Sequence, residues 1–177
     1  MRYAMAIDTK KCVGCSDCVV ACQTENHVPI GYCRDWVVEV MDGTYPQLEM
    51  EIRSERCNQC GNAPCVRCCP TGASHFEEGG LVLVTADKCI GCGACIQSCP
   101  YDARYSHPDG HVDKCTFCNH RVEVGGKPAC VEACPTKCMY FGDLDDPGSD
   151  VSKVLKTRKS KTLIPEAGTE PYLYFLI

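Results

Sequence analysis

Apolar positions along this chain come in short bursts rather than long stripes. Trp36-Val37-Val38-Glu39-Val40, then Asp42-Gly43, then Leu48-Glu49-Met50-Glu51-Ile52 predicts a hairpin with a longer loop. Phe76 through Val84, with Gly79-Gly80 at its centre, predicts a second hairpin. From Asp145 onward the chain reads as a turn, a capped short helix over Val151–Lys156, and an extended tail. The last seven residues, P-Y-L-Y-F-L-I, suit a closing strand or packed tail better than a partner contact. No run of 18 apolar residues occurs, and the N-terminus has no apolar h-region. Neither a membrane span nor a secretory signal is therefore expected.

Composition changes the picture at once. The 177 residues include 19 cysteines, four Phe and one Trp. Such a density means either a disulfide scaffold or a metal-cluster protein. The odd count leaves one thiol over in any paired scheme, and thiols two residues apart rarely meet disulfide geometry. Net charge is −5 and the basic residues are scattered, which argues against a nucleic-acid backbone as partner.

The cysteines fall into four blocks. Cys12, Cys15, Cys18 and Cys22 are spaced C-x2-C-x2-C-x3-C, and Cys89, Cys92, Cys95 and Cys99 repeat that spacing. The second block is Cys57, Cys60, Cys65 and Cys69; the fourth is Cys115, Cys118, Cys130 and Cys134. All four end in the same x3 step, and Cys33, Cys68 and Cys138 are left over. Cys69, like Cys99 and Cys134, precedes a proline and Cys68 does not, so Cys68 reads as the spare, a small buried side chain.

A [4Fe–4S] cube takes four thiolates, and three at x2 intervals on a tight loop wrap one side of it. Gly14, Gly91 and Gly93 allow the backbone to approach closely. The start of a helix carries the fourth cysteine toward a second cluster, as in two-cluster ferredoxins. Short helices are expected after Cys22 and the other final cysteines, and Asn119–Ala129 reads as an inserted loop. The blocks should then work in pairs. A zinc-binding interaction module is the rival, since zinc sites use C-x2-C pairs a dozen residues apart. Only the fourth block, and half of the second, suit it.

Each block follows a cation: Lys11, Arg56, Lys88 and Lys114. Solvated surface charge is the plainer reading; tuning of cluster potential is the sharper one. The five histidines are not expected to be ligands beside so many thiols. No Ser-His-Asp, P-loop or G-x-G-x-x-G signature offers a site for substrate chemistry. The expectation is an α+β chain, non-catalytic on its own, whose clusters replace apolar core, so that the apo chain folds poorly.

With the blocks assigned, the chain resembles an iron–sulfur electron-transfer (beta) subunit of the molybdopterin oxidoreductase (DMSO reductase) family, polysulfide/thiosulfate reductase-like. The resemblance runs nearly end to end. It rests on Met5-Ala6-Ile7-Asp8 leading into K-C-V-G-C, C-P-T-G-A-S at 69–74, K-C-I-G-C-G-A-C at 88–95 and C-P-Y-D-A-R-Y at 99–105. K-C-T-F-C at 114–118, P-A-C-V-E-A-C-P-T at 128–136 and F-G-D-L-D-D-P at 141–147 complete it.

The resemblance implies two ferredoxin-like modules holding four [4Fe–4S] clusters. One module is 1–25 plus 108–145, the other 53–107, with a hairpin insertion at 26–52 and a C-terminal tail at 146–177. It implies that Cys12, Cys15, Cys18 and Cys134 hold one cluster, and Cys22, Cys115, Cys118 and Cys130 its partner. Cys57, Cys60, Cys65 and Cys99 hold a third; Cys69, Cys89, Cys92 and Cys95 hold the fourth. Nitrate reductase beta subunits replace one thiol of the third block by Trp; Cys92 is present here, so four cubes are expected. The implied partners are a Mo/W-bis-pterin catalytic subunit and a quinone-linked membrane subunit, since the C-terminal membrane helix of formate-dehydrogenase-type relatives is lacking. Membrane association would come through those partners, with the periplasmic face favoured over the cytoplasmic one. The alternative within the same chemistry is a soluble polyferredoxin, or a hydrogenase or formate dehydrogenase electron-transfer subunit.

Overall fold

The structure, a computed structural model, describes residues 1–177. Strand β1 (Tyr3–Asp8) leads into helix α1 (Asp17–Asn26), followed by the hairpin β2 (Asp35–Thr44) and β3 (Gln47–Arg56). Then come α2 (Pro64–Arg67), the ribbon β4 (Ser74–Phe76) and β5 (Val82–Val84), and α3 (Ala94–Gln97). A minimal ribbon β6 (Tyr105–Ser106) and β7 (Val112–Asp113) precedes α4 (Asn119–Val122) and α5 (Ala129–Ala133). The chain ends with β8 (Met139–Asp143), α6 (Asp150–Thr157), β9 (Ser160–Lys161) and β10 (Leu173–Leu176).

The largest sheet has the order β8-β1-β10-β9. Its centre, β1, pairs antiparallel with β8 and parallel with β10. Side chains alternate across a strand, and β1 uses both faces. Met5 and Ile7 pack into the cysteine-bearing core with Phe141, Leu173 and Phe175, while Ala4 and Ala6 pack with Val151 and Leu176 under α6. The C-terminal tail is therefore no loose extension: it is a capped helix and a closing strand. Helix α6 starts where expected because Ser149 Oγ accepts the Ser152 N–H at 3.2 Å.

Three local expectations change. The β2–β3 strands continue through Asp42-Gly43, and the chain reverses at Tyr45-Pro46, with Thr44 opposite Gln47. Gly43 marks close backbone approach instead of the turn, since a Cβ there would lie 2.2 Å from the Gln47 carbonyl oxygen. The short helices precede the final cysteines rather than follow them: α2, α3 and α5 hold Cys65, Cys95 and Cys130 and stop before Cys69, Cys99 and Cys134. Pro70, Pro100 and Pro135 explain the stop, because a residue before proline is driven out of the helical region. Cys22 has no proline after it, and α1 runs on to Asn26. Finally, Asn119–Ala129 opens with a helical turn, α4, before the Gly125-Gly126 reversal.

Candidate metal-cluster centre

The four cysteine blocks share one backbone device. The residue just before the second cysteine is left-handed in every case: Gly14 (φ 68°), Gln59 (φ 46°), Gly91 (φ 67°) and Phe117 (φ 53°). At Gly91 the reason is also steric, since a Cβ would lie 2.4 Å from the Gly110 carbonyl oxygen. For Gln59 and Phe117 the conformation costs on the order of 1–2 kcal/mol, so packing must hold it. Both are fully buried. Gln59 Nε2 donates to the Cys115 carbonyl at 2.9 Å and Gln59 Oε1 accepts the Val82 N–H at 2.7 Å. Phe117 packs edge-on against Phe141 at 5.5 Å. This turn points backbone N–H groups inward at sulfur: Phe117 N–H lies 3.5 Å from Cys115 Sγ.

Cysteines from blocks far apart in sequence come together. Cys12, Cys15, Cys18 and Cys134 line one small cavity, together with Cys138, Val13, Val37, Met139 and the polar Ser16 and Thr136. Cys22, Cys115, Cys118 and Cys130 line a second, with Asn26, Arg34, Asp35 and Arg56 at its wall. Cys57, Cys65 and Cys99 stand near enough to Cys60 for their charges to act on it. Cys69 and Cys95 both lie around Arg104, the first through Ser74 and the second directly, with Cys89 and Cys92 on the loop that leads into Cys95. Nowhere do three or more Cys, His, Asp or Glu side chains converge as they would on a single ion. Thiols set around a space and not converged on one point suit a sulfide-bridged iron cube better than one zinc ion.

Burial divides the sets. Cys22, Cys115, Cys118 and Cys130 are all buried, and so are Cys57, Cys60 and Cys65. Each of the other two sets contains an exposed thiol, Cys15 and Cys92. Beside them Val13 and Ile90 are 61% and 66% exposed. Burial pushes the Cys60 and Cys115 thiols up to about 12 and Cys130 to about 11. In Cys69 and Cys134 burial acts in the same sense, but hydrogen bonds outweigh it and both are lowered. The Ser74 N–H and the Thr71 hydroxyl serve Cys69; the Thr136 hydroxyl serves Cys134.

The leftover thiols differ from one another. Cys33 is exposed, and Cys68 is half-buried rather than buried, 3.2 Å from Ser98 Oγ. Cys138 is fully buried against Cys134, with the sulfurs 3.4 Å apart.

The cations before the blocks also divide. Lys11 and Lys88 are exposed, as solvated charges should be, but Arg56 and Lys114 are both 1% exposed. Arg56 Nη1 donates to Cys130 Sγ at 2.7 Å, and its Nη2 bonds Ser54 Oγ. Lys114 Nζ donates to the Cys115 carbonyl at 2.8 Å and to the Val82 carbonyl. Sequence reasoning missed Arg104, which is buried and donates from Nη2 to Cys65 Sγ and to Ser74 Oγ, both at 2.9 Å. Its only signal was its place in C-P-Y-D-A-R. Arg56 Nε and Arg104 Nη1 are buried without any hydrogen-bond partner, as are the Asp35 carboxylate oxygens, which lie beside Arg56. Donors orphaned beside sulfur are what a site for a negatively charged cluster requires.

Comparison with known proteins agrees with this chemistry. Residues 48–144 match the family model of a 4Fe-4S dicluster domain. The chain is 38% identical to the putative iron-sulfur subunit of the dimethyl sulfoxide reductase of Halobacterium salinarum, covering 99% of this chain and 79% of that one. It is 42% identical to a subunit of the tetrathionate reductase of Salmonella typhimurium, over 99% and 72%. It is 41% identical to a subunit of the polysulfide reductase of Wolinella succinogenes, over 99% and 94%.

Proposed function

Because the protein belongs to the iron–sulfur (beta) subunits of the molybdopterin oxidoreductase family, a non-catalytic electron-transfer subunit of a reductase, we propose that it forms a four-cluster relay. In this reading one end meets a Mo/W-bis-pterin catalytic subunit and the other a quinone-linked membrane subunit. No helix is long and apolar enough to cross a membrane; in this reading the partners hold the complex at the membrane, on the periplasmic face. Each [4Fe–4S] cluster, when bound, accepts and gives up one electron without breaking a bond.

The observation that carries the reading is the gathering of thiols from distant blocks around shared cavities. In it, Cys12, Cys15, Cys18 and Cys134 hold the cluster at one end, and Cys69, Cys89, Cys92 and Cys95 the cluster at the other. Cys22, Cys115, Cys118 and Cys130 hold one interior cluster; Cys57, Cys60, Cys65 and Cys99 hold the second. Gln59 ties the interior pair together, since it lies between Cys57 and Cys60 and bonds the Cys115 carbonyl. The exposed flanks at Val13 and Ile90 let partners approach the end clusters. The test is anaerobic isolation of the protein from its native source. Co-purification with a large pterin-bearing subunit supports the reading, and recovery as a free brown carrier contradicts it.

A further inference from the structure

The two modules carry the same polar bridge, built from unrelated stretches of sequence. In the first, Arg56 Nη1 holds Cys130 Sγ, and Arg56 Nη2 bonds Ser54, whose Oγ lies 3.4 Å from Cys18 Sγ. In the second, Arg104 Nη2 holds Cys65 Sγ and Ser74 Oγ, and the Ser74 N–H lies 3.3 Å from Cys69 Sγ. Each bridge therefore joins an interior set to the end set of its own module: the guanidinium hydrogen-bonds the interior sulfur, and Arg104 also lies against Cys95 of the end set. Both arginines are at most 5% exposed, so bulk water screens little of their charge. Asp35, 3.5 Å from Arg56, is the one carboxylate paired with either of them.

Resting on the four-cluster reading above, the geometry points to Arg56 and Arg104 as the residues that set the interior clusters above their neighbours in reduction potential. The physics is direct. Reduction adds one electron to a cluster that already bears its thiolates' negative charge. A buried cation donating to a ligand sulfur stabilises the reduced form more than the oxidised one. The guanidinium keeps its proton throughout and no bond is made or broken. Asp35 offsets part of Arg56, whereas Arg104 has no such partner, so Arg104 exerts the larger effect. Both are positioning residues that act through sulfur.

The experiment is a redox titration of the purified holo-complex, followed by electron paramagnetic resonance, with iron and sulfide measured on the same samples. In Arg104→Gln, the cluster held by Cys65 should become harder to reduce by about tenfold, or about 59 mV for one electron, and the cluster held by Cys95 by less, with iron content unchanged. Arg56→Gln should shift a different cluster in the same direction by less. Arg104→Lys keeps the charge but loses the fork geometry, and should fall between wild type and Gln. Full iron with every midpoint at its wild-type value overturns the inference. If Gln variants lose iron, the Lys variant decides: a lowered midpoint supports the inference and an unmoved one overturns it. Fewer than four clusters in the wild-type protein would instead overturn the relay itself.

Discussion

The interior and end thiol sets use the same ligand and the same left-handed turn, yet they sit in opposite surroundings. Seven of the eight interior thiols are buried, near Arg56, Lys114 and Arg104, with Cys99 half-buried; each end set has an exposed cysteine with an exposed aliphatic residue beside it. The difference teaches that cysteine spacing makes a cradle, while environment decides what the cradle does. Buried cations favour holding an electron, and thin walls favour exchanging one. The comparison also bears on how the chain stays folded with four Phe and one Trp. Cys57, Cys60, Cys65, Cys115 and Cys130 lie in the same core as Met5, Ile7, Phe117 and Phe175, joined there by Cys18, Cys95 and Cys134 of the end sets, so clusters bound at these thiols would be part of the packing.

The hardest test of this contrast is ligand removal. Cys115→Ser strikes the core and should cost more than one cluster's iron together with the cooperative unfolding transition. Cys92→Ser should cost about four irons and leave circular dichroism unchanged. Equal damage from the two would break the contrast. Within the second block, Cys69→Ser should lose an end cluster and Cys68→Ser none, by iron assay. The reverse result would reassign that block.

Next in size is solvent attack. Under brief exposure to air with a chelator, visible absorption should bleach in two phases of similar amplitude, the end clusters first. A single phase would mean that Cys15 and Cys92 do not open their sites to water.

Smaller, and confined to the cluster-free chain, is an alkaline effect. Cys60, Cys115 and Cys130 lie above the ordinary thiol value of 9.0. A raised thiol contributes stability that is fully present below that value and lost as pH rises through the folded value. Residual structure in apo protein should therefore fade between about pH 9 and 12, and iodoacetamide should label Cys69 and Cys134 before the interior thiols. The smallest effect belongs to Asp145, exposed and held down at about 2 by Arg2 and the N-terminal amine. Its contribution is present above the usual carboxylate range and lost as pH falls toward 2. Asp145→Asn should leave cluster content and potentials unchanged at neutral pH.

Much of this was legible in the residues. The four blocks, the β2–β3 hairpin, the cap of α6 and the closing strand all follow from spacing, alternation and Ser149. Three features were not. The helix stops depended on reading Pro70, Pro100 and Pro135 backward onto the preceding cysteine, although proline's effect on its neighbour is a local rule. The left-handed turn at Gln59 and Phe117 was hidden because neither residue type favours it; burial and tertiary hydrogen bonds impose it. Burial of Arg56 and Lys114, and of Arg104 against Cys65, depended on which segments pack over them, which no local pattern encodes.

The central claim is that four sets of four thiols each hold a cube. Iron and acid-labile sulfide, measured on anaerobically purified protein, test it most directly. The account predicts about sixteen of each per chain. A value near eight, or iron without sulfide, would contradict it.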